Sequence, residues 1–271
     1  MKAQVLTISI PNYGCDKSCP FCVSKMTGCI PPDTAMMKRN VPKVKTVARA
    51  ARVGSVLLTG KGEPCRNMAS VREFVFSFRD FPVELQTNGR VLDADPDMLA
   101  VLSDLGLDVL AVSVNSLGEL QGFRGLFGRV RKLGLTSRAT VNLTPEAMTD
   151  SFVDYVHYAG LCSVDQLSFR TITVPSGTDP ADPRAVWIRE NVVLDTVRNW
   201  MAGMSFELKA QGRVVRRLPY GAVLYDYRGL SVTHFDYCIQ DSHGEDDVRS
   251  LIFQEDGHLY TTWNSRASRL F

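Results

Sequence analysis

Cys15, Cys19 and Cys22 stand together in the segment Tyr13-Gly-Cys-Asp-Lys-Ser-Cys-Pro-Phe-Cys22, with three residues between the first pair and two between the second. Thiolates are soft donors, and three on one short loop can converge on one metal centre, either an iron–sulfur cluster or zinc. Four irons held by three cysteines leave one iron without a protein ligand, so a small molecule can bind there. Zinc prefers four ligands, often as two Cys-x-x-Cys pairs. Cys29 offers a fourth thiol, but at an unusual spacing and without a second pair. A third reading is that these are unrelated buried cysteines. Cys29, Cys65, Cys162 and Cys238 are scattered and form no second ligand set. Each reads as an ordinary thiol; for Cys65 and Cys238 the alternative is a hydrogen-atom donor or a substrate-linked thiol.

A cysteine loop needs a scaffold, and the chain alternates short β-type runs with helical ones. Strands are expected at Ala3–Ile10, Ser55–Thr59, Val83–Gln86, Asp108–Val114, Arg138–Leu143 and Gln166–Thr173. Helical spacing appears at Lys43–Arg52, at Val71, Phe74, Val75 and Phe78, and over Pro96–Leu105 and Leu120–Leu133. Thr144 followed by Pro145 reads as a helix start, with Gly160 ending that helix. Pro175–Pro183 is loop-like, and Ala185–Met201 is read as one long helix. Six strand-plus-helix units of this kind favour a parallel sheet with helices outside, closed or partly closed as a barrel. The expected fold is a partial (β/α)6 TIM-like barrel over residues 1–203. Its active site belongs at the C-terminal strand ends.

With that frame in place, the cysteine spacing, with Phe21 just before the last cysteine, resembles the signature of the radical S-adenosylmethionine (SAM) superfamily. Thr59-Gly60-Lys61-Gly62-Glu63-Pro64 after the second strand resembles the family's Gly-Gly-Glu-Pro loop, with Lys61 set between the glycines. In the family this loop contacts the methionine amine of SAM, which glycine backbone and a carboxylate suit chemically. Gln86-Thr87-Asn88-Gly89 ends the third strand and Ser113-Val114-Asn115-Ser116 the fourth. The resemblance implies polar contacts to SAM from Asn88, Ser113 and Asn115; the plain alternative is a cap or turn role. Asn142 and Arg170, ending the fifth and sixth strands, are further candidates, Arg170 either for a carboxylate or in a surface salt bridge. The implied cofactors are one four-iron four-sulfur (4Fe–4S) cluster on Cys15, Cys19 and Cys22, and SAM touched by Phe21, Gly60, Gly62, Glu63, Asn88, Ser113, Asn115, Asn142 and Arg170. The implied chemistry is reductive cleavage of SAM to a 5′-deoxyadenosyl radical that abstracts hydrogen from a substrate. An external one-electron donor of flavodoxin or ferredoxin type is then required.

Composition narrows the remaining classes. Apolar residues make up 45% and charged residues 22%, as in ordinary globular proteins, so a core can form without disulfides. A net charge of +2 gives no general pull toward nucleic acid, although such a substrate is not excluded. There is no run long enough for a membrane helix and no secretory pattern at the start, so the expectation is a cytoplasmic protein without a membrane partner. Cysteines grouped in a reducing compartment bind metal or do chemistry. After Gly203 short strands dominate, at Phe206–Leu218, Ala222–Tyr227, Leu230–Phe235, Ser250–Gln254 and Leu259–Trp263, with turns at Tyr227-Arg228-Gly229 and Glu255-Asp256-Gly257. Residues 204–271 read as a small β-rich extension covering the substrate side, and Ser242–Arg249 as an exposed loop. Tyr220, Tyr225, Tyr227, Tyr237, Tyr260 and Trp263 there serve either as core or as a substrate lid; His234, His243 and His258 read as solvated. The substrate expectation is a small or nucleoside-like molecule. Peptide, protein or nucleic-acid substrates, and a zinc-stabilised binding module, are the alternatives.

Overall fold

The computed structural model describes residues 2–12, 14–218, 222–235 and 247–271. β1 (Lys2–Ser9), β2 (Ser55–Thr59), β3 (Val83–Thr87), β4 (Val109–Val114), β5 (Thr136–Asn142) and β6 (Gln166–Arg170) pair in chain order, every neighbour parallel. Their Val-, Leu- and Ala-rich runs are buried, as strands between a barrel interior and a helical layer must be. Helices cover the outside. α3 (Met68–Phe78) lays Val71, Phe74, Val75 and Phe78 on the sheet. α5 (Pro96–Leu105) starts at Asp95, whose side chain accepts from Met98 N, and stops at Gly106 with φ +106°.

Helix ends depart from the sequence reading where local chemistry intervenes. α1 (Val23–Met26) is a single turn after the cysteine loop. α2 (Thr34–Ala50) begins well before Lys43, because Asp33 caps it and the helix runs through Pro42. The helix expected at Leu120–Leu133 is broken at Phe123 into α6 (Leu117–Gly122) and α7 (Arg124–Lys132), with the short α4 (Arg90–Ala94) nearby. Thr144 does accept from Ala147 N at 3.0 Å, but it starts only a 3-10 turn over Ala147–Thr149. The helix proper, α8 (Phe152–Leu161), starts from a Ser151/Asp154 capping box and passes through Gly160. The long helix divides at Val192–Val193 into α9 (Pro183–Asn191) and α10 (Leu194–Gln211). α10 continues through Gly203, so 206–211 is helical, burying Val197, Met204 and Leu208 on one stripe.

The later strands join the same sheet. β7 (Gly212–Arg217), β8 (Val223–Tyr227) and β9 (Leu230–Phe235) form an antiparallel meander, and β9 pairs parallel with β6. β10 (Asp247–Phe253) pairs parallel with β1 and antiparallel with β11 (Leu259–Tyr260). The sheet order is β11-β10-β1-β2-β3-β4-β5-β6-β9-β8-β7. The expected partial barrel is present, lengthened at each edge by one parallel strand from the C-terminal region. Arg249 of β10 lies 5.3 Å over the Phe235 ring of β9, drawing those two strands toward each other. The β8–β9 turn has Arg228 at φ 54° and Gly229 at φ 82°, the two left-handed residues of a tight hairpin.

Asp247–Arg249 belong to β10 and not to an exposed loop. Residues 242–246, with Tyr220, Tyr237, Cys238 and His243, lie outside the described residues. Tyr227 and Tyr260 are core residues, Tyr227 edge-on to Phe152 at 5.1 Å. Among the described residues no helix is long and apolar enough to cross a membrane.

Candidate active site

The C-terminal strand ends surround a cavity of about 320 Å³. Cys15, Cys19, Phe21 and Cys22 reach it from the loop after β1, Gly60, Gly62 and Glu63 from the loop after β2, and Asn88 from the turn after β3. Ser113 and Asn115 reach it from the end of β4, Asn142 from β5 and Arg170 from β6. The twelve residues singled out in the sequence therefore meet around one space.

Hydrogen bonds fix the cysteine loop from below. Asn12 donates to Gly14 O at 3.2 Å and to Glu63 O at 2.6 Å, while Glu63 N donates to Gly14 O at 2.9 Å. The loops after β1 and β2 are thereby laced together. Glu63 is buried, and its carboxylate accepts from Cys65 N at 2.9 Å, Thr87 Oγ1 at 2.5 Å and Asn88 N at 2.8 Å. It holds the β2 loop to the end of β3, where Gly60 and Gly62 line the cavity together with Glu63 and Pro64. A Cβ on Gly60 would press on Ile10 O at 3.2 Å, a contact that glycine avoids. Gly89, with φ 83°, turns the chain after β3 and brings Asn88 inward. Asn88 donates to Asp16 Oδ1 at 2.7 Å, accepts from Arg90 N at 3.0 Å, and its amide lies 3.8 Å from Cys15 Sγ. The turn role and the contact with the cysteine loop are thus both met by one side chain.

At the fourth and fifth strands, Asn142 donates to Asn115 Oδ1 at 2.9 Å, and the Asn115 amide lies 3.8 Å from Cys19 Sγ. Lys17, inside the cysteine motif, pairs with Glu119 at 2.8 Å, and Glu119 also accepts from Asn115 N at 2.8 Å. Burial pushes the Cys19 thiol up; Lys17 opposes this, and Cys22, Cys15 and Glu119 add to it. Amide donors aimed at sulfur are the partners that thiolate ligands of a metal centre use. Among the described residues, no three His, Cys, Asp or Glu side chains close around the single point that a mononuclear ion requires.

Two aromatic rings complete the loop's surroundings. Phe21 packs on Trp187 of α9 with ring centroids 5.5 Å apart. Trp263, from beyond β11, lines the cavity beside Arg249 and Ser250 of β10. Cys65 is buried behind the Glu63 loop, and burial holds its thiol well above the ordinary range, with Glu63 adding to the effect. Cys162 is buried at the end of α8, its Sγ 3.8 Å from Leu120 O, and Cys29 is exposed.

Residues 9–140 match the sequence model of the radical SAM superfamily. That segment is a radical SAM domain. Members of the superfamily are enzymes that use a 4Fe–4S cluster and SAM. Among solved structures, SuiB of Streptococcus suis bound to S-adenosylmethionine has a TM-score of 0.64 at 13% identity, covering 96% of this chain and 60% of that one. SuiB bound to its precursor peptide SuiA has a TM-score of 0.56 at 14% identity, covering 96% and 59%. These likenesses concern the fold, and the chain spans about three fifths of the length of the SuiB chains it matches. No protein of curated function matches the sequence.

The residues present suit the superfamily's cofactors. Three thiols, two of them with amide neighbours, face a cavity that also holds a glycine-lined loop, and both features lie within the matched segment. Several partners escaped the sequence reading. Lys17 and Glu119 carry weak signals, although Ser116-x-x-Glu119 reads as a helix cap and Glu119 N does donate to Ser116 Oγ at 3.3 Å. Trp187 and Asn12 carry no sequence signal, because their roles depend on which loops pack together.

Proposed function

We propose that this chain is a radical SAM enzyme acting on a small-molecule or nucleoside-like substrate. When bound, the cofactors would supply one-electron cleavage of SAM at a single 4Fe–4S cluster and a 5′-deoxyadenosyl radical that takes a hydrogen atom from the substrate. The observation that carries the reading is the convergence of the three cysteine thiols, the Gly60–Glu63 loop and five polar strand-end residues on one cavity. Cys15, Cys19 and Cys22 would hold the cluster. The Gly60 and Gly62 backbone would meet the methionine amine, with Glu63 holding the loop in place. Phe21, Asn88, Ser113, Asn115, Asn142 and Arg170 would bind and orient the rest of SAM. Val5 and Leu57 give the cavity apolar walls that exclude water from a reactive intermediate.

Residues 1–203 form the catalytic core in this reading, and 204–271 cover its substrate side. The electron comes from an external donor of flavodoxin or ferredoxin type in the cytoplasm. A peptide substrate is the second reading, supported by the fold likeness to peptide-bound SuiB.

Protein reconstituted without oxygen should be brown and carry about four irons per chain. With SAM and a strong reductant it should release 5′-deoxyadenosine, and Cys19→Ala should abolish that release. Colourless protein with stoichiometric zinc overturns the proposal, and continued release by the variant overturns the ligand assignment.

A further inference from the structure

The proposed cofactor residues reach the cavity from the loops after β1, β2 and β3 and from the ends of β4, β5 and β6. Arg249 and Ser250 of β10 and Trp263, beyond β11, line the same cavity and have no part in that set. The backbone holds Trp263 firmly. Thr262 N donates to Ser268 Oγ at 3.2 Å, and Trp263 O accepts from the buried Gln254 side chain at 3.1 Å. On its other side Asn264 donates to Ser176 O, in the loop after β6, at 2.9 Å. The indole itself is half-buried, stacks on no other ring and donates to no group among the described residues. An indole offers a broad apolar face and one N–H that seeks an acceptor. Fixed at a cavity wall, it is a platform for a planar or apolar part of a ligand.

The charge at this cavity is lopsided. Glu63 is the one carboxylate among the described lining residues, and its two oxygens already accept three bonds from the protein. The Lys17 ammonium is matched by Glu119 at 2.8 Å. The other lining cations are Arg170 and Arg249. Arg249 lies 5.3 Å over the Phe235 ring, and Phe235 is the register partner of Arg170, so the two guanidiniums come from opposite edges of the barrel to one region. Stacking on a ring uses the face of a guanidinium. Its five N–H donors radiate in the plane, in the fork that grips a carboxylate or phosphate. Ser250, the next residue, brings a hydroxyl to the same wall. SAM has a single carboxylate, and Arg170 stands with the SAM residues in the function proposed above. A second guanidinium calls for a second anionic group, which the substrate would bring.

We infer that Arg249, Ser250 and Trp263 form the substrate wall of the cavity, and that the substrate is an acid. Its carboxylate or phosphate is held by Arg249 with Ser250, and its planar or apolar part lies on Trp263. The inference rests on the function proposed above and narrows its substrate class: an acidic metabolite or a nucleotide fits this wall, and an uncharged nucleoside leaves the second guanidinium unused. It also gives the C-terminal strands a role in recognition as well as in covering the barrel.

The test uses full-length reconstituted protein loaded with SAM and two matched probe pairs: uridine 5′-monophosphate with uridine, and indole-3-acetate with indole-3-acetamide. Equilibrium dialysis without oxygen gives the dissociation constants for wild type, Arg249→Gln, Arg249→Lys and Trp263→Ala, with iron content measured beside them. In wild type at least one acid should bind about tenfold tighter than its uncharged partner, and the pair that shows this separates phosphate from carboxylate. Arg249→Gln should erase the preference for the acid. Arg249→Lys keeps the charge without the fork and should retain only part of the preference. It decides the matter if Arg249→Gln does not take up iron. Trp263→Ala should weaken acid and uncharged partner alike, by about fivefold, with the preference intact. Iron-loaded wild type that favours neither acid overturns the inference, and so does full preference in Arg249→Gln or, where that variant fails, in Arg249→Lys. Wild-type protein that takes up no iron, or whose reduced-cluster EPR spectrum ignores SAM, overturns the function proposal instead.

Discussion

Glu63 sits in the motif most readily taken for a direct ligand contact, yet its carboxylate is occupied by the protein. Glu63→Gln separates the two roles. In the folded chain Oε1 takes the Cys65 N–H and the Thr87 hydroxyl, while Oε2 takes the Asn88 N–H. A glutamine with its oxygen in the Oε1 position keeps the first two bonds and turns an NH2 group toward the Asn88 N–H. One buried bond to a charged acceptor is lost, worth about 1.5–3 kcal/mol, and a buried donor is left facing a donor. The opposite flip loses two bonds and is worse. The expected loss is therefore about 2–4 kcal/mol of unfolding free energy, with iron content unchanged because the three cysteines are untouched. Urea unfolding of the reconstituted protein without oxygen measures the first quantity, and iron analysis the second. SAM affinity should fall with it, since Asn88 and the glycine loop both lose their anchor. Were the carboxylate a direct ligand for the SAM ammonium, the substitution would weaken SAM binding and leave stability nearly intact. Unfolding free energy within about 0.5 kcal/mol of wild type, the range of ordinary surface changes, would refute the anchoring argument.

Other consequences follow from single contacts. Gly89→Ala places a Cβ 2.8 Å from Val112 Cγ1 at a φ of 83°, so chemical denaturation should show a loss of about 3 kcal/mol. Ser151→Ala removes the α8 capping box and should cost about 1 kcal/mol by the same measurement. The Ser151 hydroxyl and backbone N–H hold the Asp154 carboxyl below its usual range. That contribution is present above about pH 4 and is lost as pH falls through the depressed folded value, so the wild-type advantage over Ser151→Ala should shrink in acid. Trp187→Ala removes the ring behind Phe21 and should cost about 1 kcal/mol from the aromatic pair alone. Hydrogen exchange over residues 19–26 should quicken with it, whereas unchanged exchange would show that the loop does not depend on α9.

The cysteine spacing, the Gly60–Glu63 motif and the polar strand ends were legible because each is a short local pattern, and strand periodicity placed them all at one end of a parallel sheet. Pro96–Leu105 was legible to the residue, since Asp95 and Gly106 punctuate it chemically. The division of the two long helices was not, because apolar spacing continues across Phe123 and across Val192–Val193 while the backbone does not. Nor could periodicity show that β9 and β10 join the barrel edges in parallel, since pairing partners are chosen by sheet geometry. By itself the amino-acid order determined which groups could do chemistry and that a strand end would present them. Only the tertiary structure decided that Glu63 turns inward to Thr87 and that Lys61 is buried with its Nζ on Gly28 O. Those outcomes depend on which distant segments exclude water together, and burial is a property of the packed whole.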